Sequence, residues 1–139
     1  MRRRDERGFA AIELSAGVAL LVLPIVLLVV SLPRWSERQG LARAAAREAA
    51  RVVGLHGWCD EPAAALAVRR VAADAHLEPT TLRLSLDCLP SVPVARGGAV
   101  TARVTVDMPA VDVPLIGAAG QWSWTAQHKE PVDRYGSRP

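Results

Sequence analysis

The sequence contains few aromatic residues, two cysteines, one lysine and no recognisable catalytic motif. Phe, Trp and Tyr make up 4% of the 139 residues, and no aromatic and basic strand motif accompanies the pI of about 9.5, which argues against a nucleic-acid partner. The histidines form no HExxH helix, the serines no nucleophile elbow, and no glycine-rich phosphate loop precedes a helix. We therefore expect no catalytic residues, no enzyme activity, no cofactor or metal, and no small-molecule substrate.

Hydrophobic residues are abundant, at 50% of the chain, and they are concentrated near the N-terminus. Residues 14–32 carry no formal charge, and at 1.5 Å per residue these nineteen residues reach roughly 28 Å, against a hydrocarbon core of about 30 Å. The run is longer than the apolar region of a secretory signal peptide and does not end at a small-x-small site. We expect a single transmembrane helix rather than a cleaved signal peptide.

A short arginine-rich leader precedes this run. The leader ends at Gly8, and the apolar stretch that follows is interrupted by one carboxylate, Glu13. An unpaired acid at membrane depth costs on the order of 2 to 3 kcal/mol, so a pairing partner is one explanation for it. A carboxylate one turn inside the apolar boundary can also reach the headgroups. The residues alone leave both interpretations open.

The order of basic leader, Gly8, Phe9, Glu13 and apolar helix resembles the class III signal of type IV pilins and pseudopilins. The resemblance implies that a prepilin peptidase cuts after Gly8, so that the mature chain begins at Phe9. It also implies that Glu13 meets the freed amino terminus of a neighbouring subunit during assembly. The expected partners are therefore the prepilin peptidase, other pilin or pseudopilin subunits, and the lipid bilayer.

Topology follows from the same resemblance, because arginines on both sides of the span leave the positive-inside rule undecided. The resemblance implies a single-pass protein of the cell membrane with a cytoplasmic N-terminus and an extracytoplasmic C-terminal domain, and an extracellular filament after assembly.

Later segments are similar to TadE and TadG-like pseudopilins of Tad (Flp) pilus systems, in a divergent actinobacterial-type branch, since Pro24 lies farther after Glu13 than the family pattern has it. The similar segments are 21–24, 45–51, 100–106 and 114–117. This resemblance implies a pilin-like membrane subunit of a Tad/Flp-type pilus or a related secretion filament. The alternative is an uncleaved single-span anchor that presents a small binding domain to a cell-envelope partner.

Beyond the span, an alanine-rich helix is predicted to run to Gly54, starting afresh at a capping box, Ser36 to Gln39, or resuming after Pro33. Its arginines recur every four residues and form either a solvated face or a contact for lipid phosphates or an acidic partner. These arginines are Arg43, Arg47 and Arg51.

Asp60 and Pro62 suit the start of another helix that runs towards Pro79. Alternation then predicts strands at 82–87 and 100–108, with shorter ones at 111–116 and 121–127. The expected class is α+β, with antiparallel strands packed on helices. The expected divisions are a leader at 1–8, a transmembrane helix at 9–33, an extracytoplasmic helix at 34–54, a small domain at 55–127 and a polar tail at 128–139.

Cys59 and Cys88 are predicted to form a disulfide, which suits an exported domain. Zinc binding with His56 and His76, and free thiols, are the alternatives, although the spacing fits no standard zinc pattern. The tryptophans are predicted to fill the interface between helix and sheet, with an exposed assembly contact as the alternative.

Overall fold

The computed structural model describes residues 5–89, 93–94, 97–113, 117–120 and 122–132. Within these ranges it contains helix α1 (Asp5–His56), helix α2 (Glu61–Asp74), a 3-10 turn (Pro79–Thr81) and strands β1 (Leu82–Leu86), β2 (Ala99–Asp107), β3 (Val111–Val113), β4 (Gly117–Ala119) and β5 (Ser123–Pro131). Three strands form an antiparallel sheet in the order β1-β2-β5, and β3 and β4 pair as a separate hairpin. The predicted α+β class is confirmed.

The long helix α1 is continuous across the predicted break. Pro24 and Pro33 both lie inside it, and Ser36 is an ordinary helical residue, so the predicted capping box does not start a helix. Extending an existing helix adds one hydrogen bond per residue fixed, whereas a new helix must first form a costly nucleus. Continuation after Pro33, the other alternative, is therefore the one that the chain adopts.

The first helix ends at His56, two residues beyond the predicted end at Gly54. Gly57, with φ of 67°, takes the left-handed position that stops it, and its N–H donates to the Val53 carbonyl at 3.0 Å. Gly54 has a different use, because a Cβ there would lie 3.0 Å from the Cγ of Glu130 in β5. The glycine at 54 lets the helix approach the sheet closely.

The second helix begins where the sequence predicts. The Asp60 carboxylate accepts a hydrogen bond from the Ala63 N–H at 3.0 Å, and Pro62 occupies the first turn, where its missing N–H costs no helical hydrogen bond. His56 Nδ1 also lies 3.2 Å from this carboxylate.

Replacing this cap should measurably weaken the domain. We expect Asp60→Ala to lower the free energy of unfolding by about 1 kcal/mol, because an amide donor of the first turn loses its acceptor. Urea titration of the full chain in detergent micelles, followed by near-UV circular dichroism, measures the change. Asp60→Asn is the matched control, since it keeps a capping oxygen but not the charge. An equal loss in both variants would assign the stabilisation to the His56 ion pair instead.

The core lies where the upper half of α1 meets the sheet and α2. Helix α1 contributes a face of small residues, each fully buried: Ala42, Ala45, Ala46, Ala49, Ala50 and Val53. Alternate residues of β2 point into the same core: Val100, Ala102, Val104 and Val106. Because alanine ends at Cβ, the helix can lie close against two neighbours at once, and this fixes the sheet along the axis of α1.

The C-terminal part of the chain is more ordered than predicted. Strand β5 continues to Pro131 along the whole of β2, and the Val132 N–H donates to the Gly98 carbonyl at 2.9 Å. The prediction of a loose tail is therefore wrong for 128–132, whereas 133–139 lie outside the described residues.

Shorter elements also differ from the prediction. Gly117 opens the additional strand β4, and the predicted strand 111–116 is confirmed over 111–113. Its remaining residues, 114–116, lie outside the described part.

Candidate membrane and subunit-docking site

The N-terminal half of α1 is an exposed apolar rod. Its large hydrophobic side chains between residues 12 and 32, with Leu27 half-buried, are otherwise 46–79% exposed. The most apolar 18-residue window has a mean hydropathy of 2.7, and none of it is buried. The core helix of a soluble protein would be mostly covered. The chain therefore has one helix long and apolar enough to span a membrane.

Polar side chains within the rod differ in whether the helix itself supplies their hydrogen-bond partner. The hydroxyls of Ser15 and Ser31 donate to the carbonyls four residues earlier, at 2.8 Å and 2.6 Å, so the helix itself satisfies them. Glu13 instead lies exposed on the helix surface. Its carboxylate borders a shallow recess shared with Leu14, Gly17, Val18, Leu21 and Val22.

Gly17 gives this recess its shape. It lies one turn after Glu13 on the same face, and a Cβ at this position would meet nothing within 4 Å. The rod thus has a small notch with apolar walls beside the Glu13 carboxylate. Small residues at this kind of position let a second helix approach closely in a membrane.

The upper end of the rod is marked by Trp35. Its indole N–H donates to the Pro109 carbonyl at 3.1 Å, and its ring meets that of Trp122 edge-on, with centroids 5.8 Å apart. Tryptophan is enriched at membrane boundaries. Glu13 lies twenty-two residues earlier, or roughly 33 Å along the helix, which is about one hydrocarbon thickness. A bilayer with one boundary at Trp35 therefore has Glu13 close to the other.

The three predicted arginines lie on the exposed side of α1 above Trp35. Arg43 is 5.0 Å above the ring of Trp124, Arg51 approaches Glu48 of its own helix at 3.6 Å, and Arg47 borders the groove between α1 and α2. The first of them is already about 12 Å beyond Trp35. This distance favours solvent or a protein partner over lipid phosphates for Arg47 and Arg51.

Two tryptophans lie in the predicted interface between helix and sheet, and two are partly exposed, as the alternative of an exposed contact requires. Trp35 and Trp124 are half-buried between α1 and the sheet, as predicted for an interface. Trp122 and Trp58 are each 42% exposed, and Trp58 forms an isolated bridge with Pro93. Trp35, at the upper end of the rod, was not singled out by the sequence analysis, although a tryptophan three residues after an apolar run is typical of a membrane boundary.

The predicted disulfide between Cys59 and Cys88 is present, with Cα atoms 5.9 Å apart. It ties the segment between α1 and α2 to the end of β1, far from the rod. Both sulfur atoms are in the disulfide bond, so neither cysteine offers the thiolate that the zinc alternative needs. Among the described residues no group of three or more His, Cys, Asp or Glu side chains comes together.

The outer face of the sheet carries a bidentate ion pair. The Arg83 guanidinium donates twice to the Asp107 carboxylate, at 2.7 and 2.9 Å. The hydrogen bond first, and the negative charge second, raise the pKa of Arg83 above its usual range. Because both side chains are more than half exposed, the pair contributes little to stability.

No protein-family model, no curated protein and no solved structure matches the chain. Gly8 and Phe9 lie within α1, and Glu13 follows one turn later on the same helix. The arginines and the disulfide lie at the opposite end of the molecule. The structure thus brings the predicted processing and docking residues together and separates them from the rest.

Proposed function

We propose that the protein is a pseudopilin-like membrane subunit that is trimmed after Gly8 and built into a Tad/Flp-type pilus or a related secretion filament. Its exposed apolar rod, which holds a lone carboxylate near one end, carries this proposal. The small domain sits on the far side of the membrane, and the rods of neighbouring subunits pack side by side.

Charge complementarity supports the role of Glu13. Trimming after Gly8 would create one positive amine at Phe9, next to the membrane boundary, and Glu13 supplies one negative charge at nearly the same depth. Near the membrane boundary each charge is less well solvated than in bulk water, and opposite charges attract more strongly there. The desolvation cost offsets part of this gain, so the pair sets the register between subunits more than it adds stability.

The second candidate is an uncleaved anchor that holds the small domain near an envelope partner. The same exposed rod would serve it, and the groove between α1 and α2 would offer the domain a contact surface. An anchor, however, has no need of a carboxylate beside a glycine notch. Trimming of the leader distinguishes the two candidates.

The first test concerns Gly8. We expect Gly8→Leu to leave the leader attached, because a bulky side chain next to the scissile bond would not fit a peptidase that cuts after glycine. Intact-mass spectrometry of the membrane-extracted protein, from cells that hold a prepilin peptidase, measures the length of the chain. Gly17→Leu is the matched control within the rod and should be trimmed normally. Normal trimming of Gly8→Leu, or an untrimmed wild-type chain, would contradict the assignment and favour the anchor.

A further inference from the structure

The hairpin of β3 and β4 hangs from the membrane end of the domain. Strand β5 runs alongside α1, with Trp124 under Arg43 at one end and Glu130 beside Gly54 at the other. The chain segments between β2 and β5 must therefore lie at the end of the sheet that points towards the rod. The hydrogen bond from Trp35 to the Pro109 carbonyl fixes this placement.

From there the chain descends beside the rod itself. Pro109, Ala110 and Val111 line a recess whose other wall is formed by α1. The residues of α1 in this wall are Leu27, Val30, Ser31, Arg34 and Trp35. Leu27 is half-buried, unlike the large hydrophobic residues around it. The recess between the domain and α1 thus extends down to a residue that lies well inside the charge-free run.

The position of Leu27 along α1 shows how far this recess would extend into a bilayer. Leu27 lies five residues before Leu32, the last residue of the charge-free run, or about 7 Å along the helix. The polar layer on each side of a bilayer is only about 5 to 7 Å thick. This layer lies outside the charge-free run, so a segment that lines a recess together with Leu27 passes through the headgroups and reaches the first acyl carbons when the rod spans the membrane.

We propose that the β3–β4 hairpin rests at the boundary between the headgroups and the acyl chains of the bilayer and holds the small domain against the membrane surface. This proposal rests on the proposed function, because it requires that the rod span the membrane. The composition of the strands fits lipid: Val111, Val113 and Ala118 are apolar, and Asp112 is the one charged residue in them. Arg34, in the same recess, suits a lipid phosphate.

The hairpin also needs a surface to lie on. Each of its strands has three residues, and a two-stranded hairpin is marginally stable on its own in water. Val111 and Val113 are half-buried, and Ala118 is exposed. Headgroups and the first acyl carbons would cover the exposed side of the hairpin. Apolar faces of interfacial segments lie about 5 to 10 Å deep at a membrane boundary in the same way.

Depth-dependent fluorescence quenching tests this. Single cysteines are introduced into the full chain as Ala118→Cys, Val22→Cys and Ser85→Cys, labelled with an environment-sensitive dye while the native disulfide is kept. Each chain is placed in vesicles of phosphatidylcholine and phosphatidylglycerol that carry a nitroxide either near the headgroup or deep in the acyl chain. Position 22 reports the rod, and position 85, on the exposed side of β1, reports the aqueous part of the domain.

The shallow nitroxide should quench the probe at 118 at least about twofold more than the probe at 85, because an interfacial segment lies within its reach. The deep nitroxide should quench the probe at 22 most. If 22 is quenched and 118 behaves like 85, the hairpin proposal alone is overturned. If 22 is not quenched, the spanning rod is wrong and the hairpin proposal falls with it. A probe at 118 that is shielded from aqueous iodide but untouched by nitroxide would indicate a second copy of the chain against the hairpin and would overturn lipid contact.

Discussion

Glu13→Ala should be trimmed like the wild type and yet yield at least about tenfold fewer filaments. Tenfold corresponds to about 1.4 kcal/mol, the lower end of what close charge pairs contribute at protein interfaces. The alanine variant keeps an uninterrupted apolar rod and still inserts, but the amine at the start of the next subunit would lose its counter-charge. The amount of pilus protein in the fraction sheared from cells, relative to the amount in the membrane, measures the effect.

Three variants separate charge from shape at this position. Glu13→Gln keeps the size of the side chain without its charge and should lose filaments as Glu13→Ala does. Glu13→Asp keeps the charge on a shorter stem and should retain part of the yield. Ile12→Ala, one residue away on another face of the helix, is the matched control and should assemble normally. Wild-type yields from Glu13→Gln would remove the proposed charge pairing, although a trimmed leader would still support a pilin-like subunit.

The loss of the Cys59–Cys88 disulfide should be the largest effect on stability. The two cysteines are 29 residues apart, and closing a loop of this length in the unfolded chain corresponds to roughly 3 to 4 kcal/mol in the chain-entropy model. The domain beyond the rod is small and its core is made largely of alanine and valine, so that other contributions to its stability are modest. We therefore expect Cys59→Ser with Cys88→Ser to shift the urea midpoint strongly, as followed by near-UV circular dichroism of the full chain in micelles.

Reductant provides the internal control for this experiment. A thiol reductant should shift the unfolding midpoint of the wild type by nearly as much as the double substitution does, and it should leave the double variant unchanged. The helical signal of the rod should persist in all samples, because α1 below Trp35 has few contacts with the domain. A midpoint that neither substitution nor reductant moves would show that the bond does not stabilise the domain.

Local patterns predicted the elements whose secondary structure is set by residues close together in the sequence. The charge-free run predicted the lower half of α1, Asp60 with Pro62 predicted the start of α2, and alternation predicted β1 and β2 nearly to the residue. In each case a period or a cap acts within a few residues of the chain. Such signals need no knowledge of the rest of the molecule.

Features that depend on distant contacts were wrong or missing. Gly54 looked like a helix stop, but its role is set by Glu130 on a strand that is distant in sequence. The polar residues 128–130 read as a tail, yet they form strand because β2 offers them an edge to pair with. In both cases tertiary packing overrides the local propensity.

The site was predictable in one half only. Gly8, Phe9 and Glu13 are predicted from the sequence because their spacing is the signal, and their roles in processing and docking stay predictions. The contact between Trp35 and Pro109 joins residues 74 positions apart, and no local pattern announces it. The proposed depth of the hairpin rests on that contact, which depends on how the sheet packs along α1.

The alanine face of α1 has a consequence for how copies of the chain can associate. Above Trp35 the small side chains are fully occupied by the chain's own sheet and α2, so no other helix can use them. The apolar surface of α1 that remains uncovered lies below Trp35. If the subunits polymerise as proposed, these lower halves would pack together in the centre of the filament, and the small domains would lie around them.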